Sequence, residues 1–194
     1  MRAVQEKGYI AQGWLVVALA LVFGAGLAAV HAGLQPRIEA NRLQDTLGQV
    51  PALVPGAERG VAVEVGGRTV YEALDAADAR VGWVLPAGGQ GFADRIEILV
   101  GLNRGADTIT GLSILEQKET PGLGNRIADP DWRAGFEGRP VGPRLRLVRH
   151  TAEQEDEIEA ITGATISSQS VVDILNTAAR AAAPDLRAAP EPAP

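Results

Sequence analysis

Ten consecutive residues, Glu159-Ala160-Ile161-Thr162-Gly163-Ala164-Thr165-Ile166-Ser167-Ser168, carry four hydroxyl groups and one carboxylate around a single glycine. Directly after them, apolar residues recur at positions 171, 174, 175, 178 and 182. That spacing predicts a helix starting shortly after Thr165. At a helix start, free backbone N–H groups and the positive end of the macrodipole favour a phosphate without any lysine. A threonine hydroxyl placed there could carry that phosphate covalently. The simpler chemistry of the same residues is a capped helix, with small hydroxylated side chains at the N-cap and Gly163 allowing a tight turn. A hydrolase nucleophile drawn from residues 162 to 168 is a third possibility. With two histidines and no cysteine in the chain, no triad stands beside it.

A second stretch with chemical content is Glu119-Thr120-Pro121-Gly122-Leu123-Gly124. Pro121-Gly122 is a strong turn signal, and glycines at 122 and 124 remove side chains that would hold a planar ring off the backbone. Backbone N–H groups of such a loop could bond ring carbonyls. Read alone, it is a surface turn. Trp132 and Phe136 either pack on a ring or fill a core edge. His31 and His150 have no sequence partner that would make them ligands or bases, and both read as structural.

Taken together, the two stretches resemble the covalent FMN-binding proteins found as the G subunit of the Rnf electron-transport complex and the C subunit of the sodium-pumping quinone reductase. Residues 159–165 are similar to the flavin-attachment motif Asp-x-x-(Ser/Thr)-Gly-Ala-Thr, with Glu159 where the family usually has Asp. Gly91-Phe92, a strand from Asp94 to Leu102, a strand through Leu115 and then the 119–124 loop look like the corresponding run of the Rnf G subunits, where the loop lies beside the flavin. The resemblance implies that Thr165 holds FMN through a phosphoester, approached by Thr162, Gly163 and Ala164. It further implies cofactor contacts at Ser167, Ser168, Glu119, Thr120, Pro121, Gly122, Leu123 and Gly124. Family membership would bring a separate flavin transferase that uses FAD and magnesium, and neighbouring membrane, flavin and iron–sulfur subunits. The task implied is electron relay between ferredoxin and NAD coupled to sodium or proton movement, with no general acid or nucleophile in this chain. The quinone-reductase C subunits, generally longer than this chain, are the alternative within the class.

These residues need elements to hold them. At 194 residues and 46% apolar, the chain has enough for one domain with a buried core plus extras. The absence of cysteine excludes iron–sulfur ligation, thiolate zinc and disulfides within it, so redox chemistry must come from an organic cofactor or a partner. A net charge of −6 argues against nucleic acid. Residues 8 to 30 contain no charge, and at helical rise they span roughly 35 Å, enough to cross a bilayer. Trp14 and Tyr9 fit an interfacial belt. A cleaved signal peptide ending at Val30-His31-Ala32 is the competing reading. Arg2 and Lys7 on one side are matched by Arg37 and Arg42 on the other, so charge does not orient the helix. The resemblance places the N-terminus in the cytoplasm and the large domain on the extracytoplasmic side of a bacterial inner membrane.

A short polar helix is expected over 36–49, ended by Pro51, Pro55 and Gly56. Val61, Val63 and Val65, then Gly66-Gly67, then Val70 and Tyr71 predict a hairpin with a Gly-Gly turn. Further strands are expected at 81–85, 96–100, 109–115 and through Leu145, Leu147 and His150, with Gly88-Gly89-Gln90-Gly91-Phe92 as a loop. The acidic run from Glu153 to Glu159 reads as a soluble approach to the turn, and the last helix, from Ser167 to Ala183, as turning Asp173, Asn176 and Arg180 outward. The expected architecture is a transmembrane anchor over 1–35, one α+β FMN-binding domain over 36–183, and a disordered Ala/Pro tail over 184–194. A non-redox, membrane-anchored binding module is the reading from another functional class.

Overall fold

The computed structural model describes residues 2–191, and the side chains of residues 2–12 and of Glu39 lie outside the description. The expectations for Arg2, Lys7 and Tyr9, and for the end of the tail at 192–194, therefore lie outside the described residues. The chain divides into two units, residues 1–45 and 46–194.

The first unit is helical. Helix α1 (Arg2–Leu53) contains the charge-free run and continues through Pro36 and Pro51, where the sequence predicts a break and a second helix. It is long and apolar enough to cross a membrane, with a mean hydropathy of 2.3 over an 18-residue window. Trp14, Val16, Leu21, Val22, Phe23 and Leu27 all stand exposed on it. A proline gives up one backbone bond and costs about 3 kcal/mol. At Pro51 the neighbouring Val50 and Leu53, both buried, offset that loss by roughly 1.5–3 kcal/mol each.

The second unit is built on a five-stranded antiparallel meander: β1 (Arg59–Val65), β2 (Arg68–Leu74), β3 (Arg80–Gln90), β4 (Arg95–Asn103) and β5 (Ile109–Glu116). The expected Gly-Gly hairpin joins β1 to β2, with Gly66 and Gly67 at φ 59° and 73°, the paired left-handed conformations of a two-residue turn. Alternation in β4 decides what covers each face. Ile96, Ile98, Val100 and Leu102 meet α3 (Thr165–Ala188) and its Val171, Val172, Leu175 and Leu186, while Leu99 joins Val50, Leu53, Val54 and Tyr71 on the other face. On that second face the Leu53 carbonyl comes so near the sheet that a β-carbon on Gly101 would lie 2.3 Å from it, and Thr110 Oγ1 donates to it at 2.7 Å. Burial pushes the Tyr71 phenol upward in pKa, against the opposing effect of its hydrogen bond with Thr46.

Several local expectations are corrected. Gly88, Gly89 and Gln90 are not a loop but the end of β3, paired with Glu97, Ile96 and Arg95. Gly89 is small because α3 presses on it, a β-carbon there lying 2.6 Å from Ile174 Cγ1, whereas one on Gly88 would meet the Arg95 guanidinium at 2.8 Å. The expected tail after Pro184 is the last turn of α3, which runs to Ala188 with Leu186 only 2% exposed. Arg80, itself buried beside Glu72, donates to the carbonyls of Pro190 at 2.8 Å and Ala189 at 3.3 Å, fastening the chain beyond it. Asn176 faces inward and clasps Leu145, donating to its carbonyl and accepting from its N–H, each at 2.9 Å. A polar residue on the buried face of a helix reads as outward by its polarity alone; what turns it in is an unpaired backbone segment needing both a donor and an acceptor.

The strand around Leu145 is only β6 (Arg146–Val148), and His150 lies past it, its Nδ1 2.9 Å from the Thr151 carbonyl. β6 pairs in parallel with β7 (Glu157–Glu159), so the acidic run ends as a strand. Glu157 is buried and accepts from the N–H groups of Glu153 and Gln154.

Candidate functional site

β7 delivers the chain to the hydroxyl-rich stretch, and a four-residue turn, Ile161-Thr162-Gly163-Ala164, hands it to α3. Ala164 N–H closes the turn on the Ile161 carbonyl at 2.9 Å, and Gly163 at φ 85° occupies the position where such a turn requires positive φ. Ser168, fully buried, holds the turn from inside: its Oγ accepts the Ile161 N–H at 3.2 Å and donates to the Ala164 carbonyl at 3.0 Å. The N-cap is Ala164, without any side-chain cap bond, so the expected hydroxylated cap is absent. The first backbone bond into the helix comes from Ser168 N–H. The N–H groups of Thr165, Ile166 and Ser167 are thus left as the free donors of an uncapped helix start.

The 119–124 loop comes up beside this turn. Between them lies an open cleft of about 290 Å³ lined by Phe92, Thr120, Leu123 and Gly124 on one side and residues 163–167 on the other. Glu119 joins the two walls. It is 4% exposed, accepts from Ser167 Oγ at 2.6 Å, and accepts from Ala93 N–H at 3.1 Å in the β3–β4 turn. Three segments far apart in sequence meet at that one carboxylate. Thr165 is half-buried in the cleft wall, while Phe92, Leu123 and Ile166 form an apolar rim, 60%, 47% and 59% exposed.

Not every expected site residue gathers here. Thr162 faces away into a separate, more polar cavity of about 610 Å³, along with Glu159, Trp132, Arg126 and Arg139. Trp132 donates its indole N–H to the Glu159 carbonyl at 2.8 Å and packs edge-on against the buried Phe136 at 5.1 Å, so both aromatics are structural. Pro121 and Gly122 are exposed and outside the lining of the cleft. The loop's N–H groups are partly spent on the loop itself: Gly122 donates to Asn125 Oδ1 at 2.8 Å and Leu123 to the Thr120 carbonyl at 3.2 Å. Ser168 is used by the turn. Sequence reasoning missed Ile166 as a rim residue, although an apolar side chain in the first turn, off the buried stripe, was the available signal. Among the described residues no cluster of histidine or carboxylate side chains could hold a metal ion.

The arrangement suits a group with a phosphate at one end and a planar apolar ring at the other. Free helix N–H groups and the Thr165 hydroxyl serve the first, and an uncharged wall with an apolar rim serves the second. Residues 91–180 match the FMN-binding domain family, a span that holds both walls of the cleft. The G subunit of the ion-translocating oxidoreductase complex of Methanosarcina acetivorans is 29% identical over 171 residues, covering 84% of this chain and 88% of its own length. This chain is thus similar to the FMN-binding family over residues 91–180 and to the G subunits along most of its length. The C subunit of the Na(+)-translocating NADH-quinone reductase of Vibrio vulnificus is 32% identical over 95 residues, but that match covers only 45% of this chain and 37% of the relative. The fold agrees with the crystal structure of NqrC from Shewanella oneidensis at a TM-score of 0.56 and 22% identity, covering 62% of this chain and 61% of that one. This FMN-binding domain is therefore of the α+β kind expected, carried behind one long apolar helix.

Proposed function

We propose that this chain is the membrane-anchored flavoprotein of an Rnf-type, ion-translocating ferredoxin:NAD oxidoreductase, and that Thr165 carries its FMN as a phosphoester. The observation behind the assignment of Thr165 is the cleft itself. The only threonine hydroxyl of the 159–168 stretch that lines it belongs to the first residue of an uncapped helix, opposite Leu123 and Gly124. Thr162, which shares its chemistry, opens into the other cavity. Similarity to the G subunits along most of both chains favours the Rnf-type reading over the quinone-reductase one.

Bound FMN would supply reversible electron transfer, and the chain's own residues would hold and surround it. The first-turn N–H groups of α3 would neutralise the phosphate, the turn stitched by Ser168 would keep Thr165 facing the cleft, and Phe92, Leu123 and Ile166 would shield the ring from water. Maturation would fall to a flavin transferase using FAD and magnesium. In that transfer the Thr165 hydroxyl oxygen would take the FMN phosphoryl group of FAD, with AMP leaving and the hydroxyl proton passing to a base of the transferase. The domain following α1 would stand on the extracytoplasmic side of a bacterial inner membrane, among the complex's other membrane, flavin and iron–sulfur subunits. The test is ultraviolet fluorescence of the denatured chain on a gel, with intact mass, after co-expression with a flavin transferase. Fluorescence and an FMN-sized mass increase in the native chain, both lost in Thr165→Ala, are expected. Flavin that survives denaturation in Thr165→Ala would place the attachment elsewhere.

A further inference from the structure

Glu119 is a buried carboxylate without a cation. Its two oxygens accept from Ser167 Oγ and Ala93 N–H, and among the described residues it forms no ion pair. Lys118, its neighbour in sequence, is 68% exposed and turns instead to Asp94 at 3.5 Å and Glu116 at 3.8 Å. A 2.6 Å contact between a hydroxyl and a carboxylate is in the charge-assisted range. Burying such a group without a counter-ion is costly, and a neutral side chain of similar size could join the same segments more cheaply. What offsets the cost here is the positive end of α3, whose first turn supplies Ser167.

Two glycines clear the space for it. A β-carbon on Gly91 would lie 2.3 Å from Glu119 Oε1, and one on Gly124 would lie 2.9 Å from Oε2 and 2.7 Å from Ser167 Oγ. Gly124 and Ser167 both line the cleft, so the carboxylate stands directly behind the wall, one side chain's thickness from whatever the cleft holds. None of the residues lining the cleft is charged, which makes Glu119 the charge set directly behind that wall. In a dry surrounding a charge is weakly attenuated by its medium and scarcely screened by salt.

We propose that Glu119 sets the reduction potential of the flavin in this site: its fixed negative charge opposes the arrival of an electron and holds the potential low. The proposal rests on the reading that the cleft holds FMN. The test is a dye-mediated spectroelectrochemical titration of the full chain in detergent after co-expression with a flavin transferase, with gel fluorescence reporting the loading of each sample. Glu119→Gln keeps the shape and one acceptor but removes the charge, and its midpoint potential should rise, at high salt as well as low. Glu119→Asp should stay nearer the native value. Should Glu119→Gln fail to load, Ser167→Ala strips a hydrogen bond from the carboxylate while keeping the charge, and its potential should fall. A loaded Glu119→Gln with the native potential overturns the proposal, as does an unchanged potential in Ser167→Ala. A native chain that takes up no flavin instead removes the cofactor reading, and this proposal with it.

Discussion

Replacing Ser168 by alanine isolates the bond that shapes the turn before Thr165. The hydroxyl is fully buried and plays two roles, yet its loss is felt unequally. The Ala164 carbonyl keeps a partner, because Ser168 N–H also donates to it at 2.9 Å. Ile161 N–H, at a residue 6% exposed, loses its acceptor. A buried donor left unsatisfied costs about 1–3 kcal/mol. At a urea dependence of about 1–3 kcal/mol per molar, the midpoint should fall by roughly 1 M. For a domain of this size each kcal/mol lowers the melting temperature by about 2–4 °C. The assay is urea unfolding of the full chain in detergent, followed by tryptophan fluorescence, with Ser170→Ala, a half-buried neighbour, as the control that stays within about 0.5 kcal/mol. With Thr165 as the proposed attachment residue, flavin attachment should be reduced but not abolished in Ser168→Ala. A Ser168→Ala chain as stable as the control would refute the reasoning that this hydroxyl holds the turn.

Two further outcomes follow from the packing and the charges. Leu186→Ala should destabilise the domain by about 2–5 kcal/mol in the same assay, because the side chain is buried in the core shared by α3 and the sheet; a change below about 0.5 kcal/mol would mean that the helix does not pack beyond Pro184. On the acid side, hydrogen bonds from Arg146 hold the Asp156 carboxyl below the usual range, and the N–H groups of Glu153 and then Gln154 do the same for Glu157. With folded pKa values depressed, their contribution is complete above the unfolded carboxylate value near 4 and is lost as pH falls through the folded values. Stability should therefore hold from neutral pH to about 5 and decline below it, and Arg146→Gln should soften that decline; an identical acid limb in the variant would sink the assignment to this pair.

What the sequence made legible was local. Gly66-Gly67 between alternating valines could only be a tight hairpin, and the spacing of Val171, Ile174 and Leu175 fixed the buried stripe of α3. The chemistry of residues 119–124 and 159–168 was equally plain, because turns and helix starts are written in neighbouring residues. What escaped was anything decided by a distant partner. Gly88 and Gly89 look like a loop until β4 is seen pairing with them and Ile174 pressing on Gly89, and Asn176 looks solvent-facing until Leu145 arrives with two unpaired backbone groups. Pro184 looks like a stop because the sequence does not reveal Arg80, in another element, holding the carbonyls beyond it. Glu119 was singled out for its loop, but its bond to Ser167 spans 48 positions and only the fold brings them together.

The bond from the Trp132 indole to the Glu159 carbonyl places an intrinsic optical reporter on the backbone of the motif itself. The other two tryptophans occupy different surroundings: Trp83 is sealed in the core under the Arg80 guanidinium, 4.3 Å above its ring, and Trp14 stands on the apolar helix. Indole emission follows local polarity, so the three chromophores differ in colour and in access to quenchers without any label. Variants that keep one tryptophan each would separate, in a single cuvette, events on the apolar helix, in the core and beside the turn before Thr165.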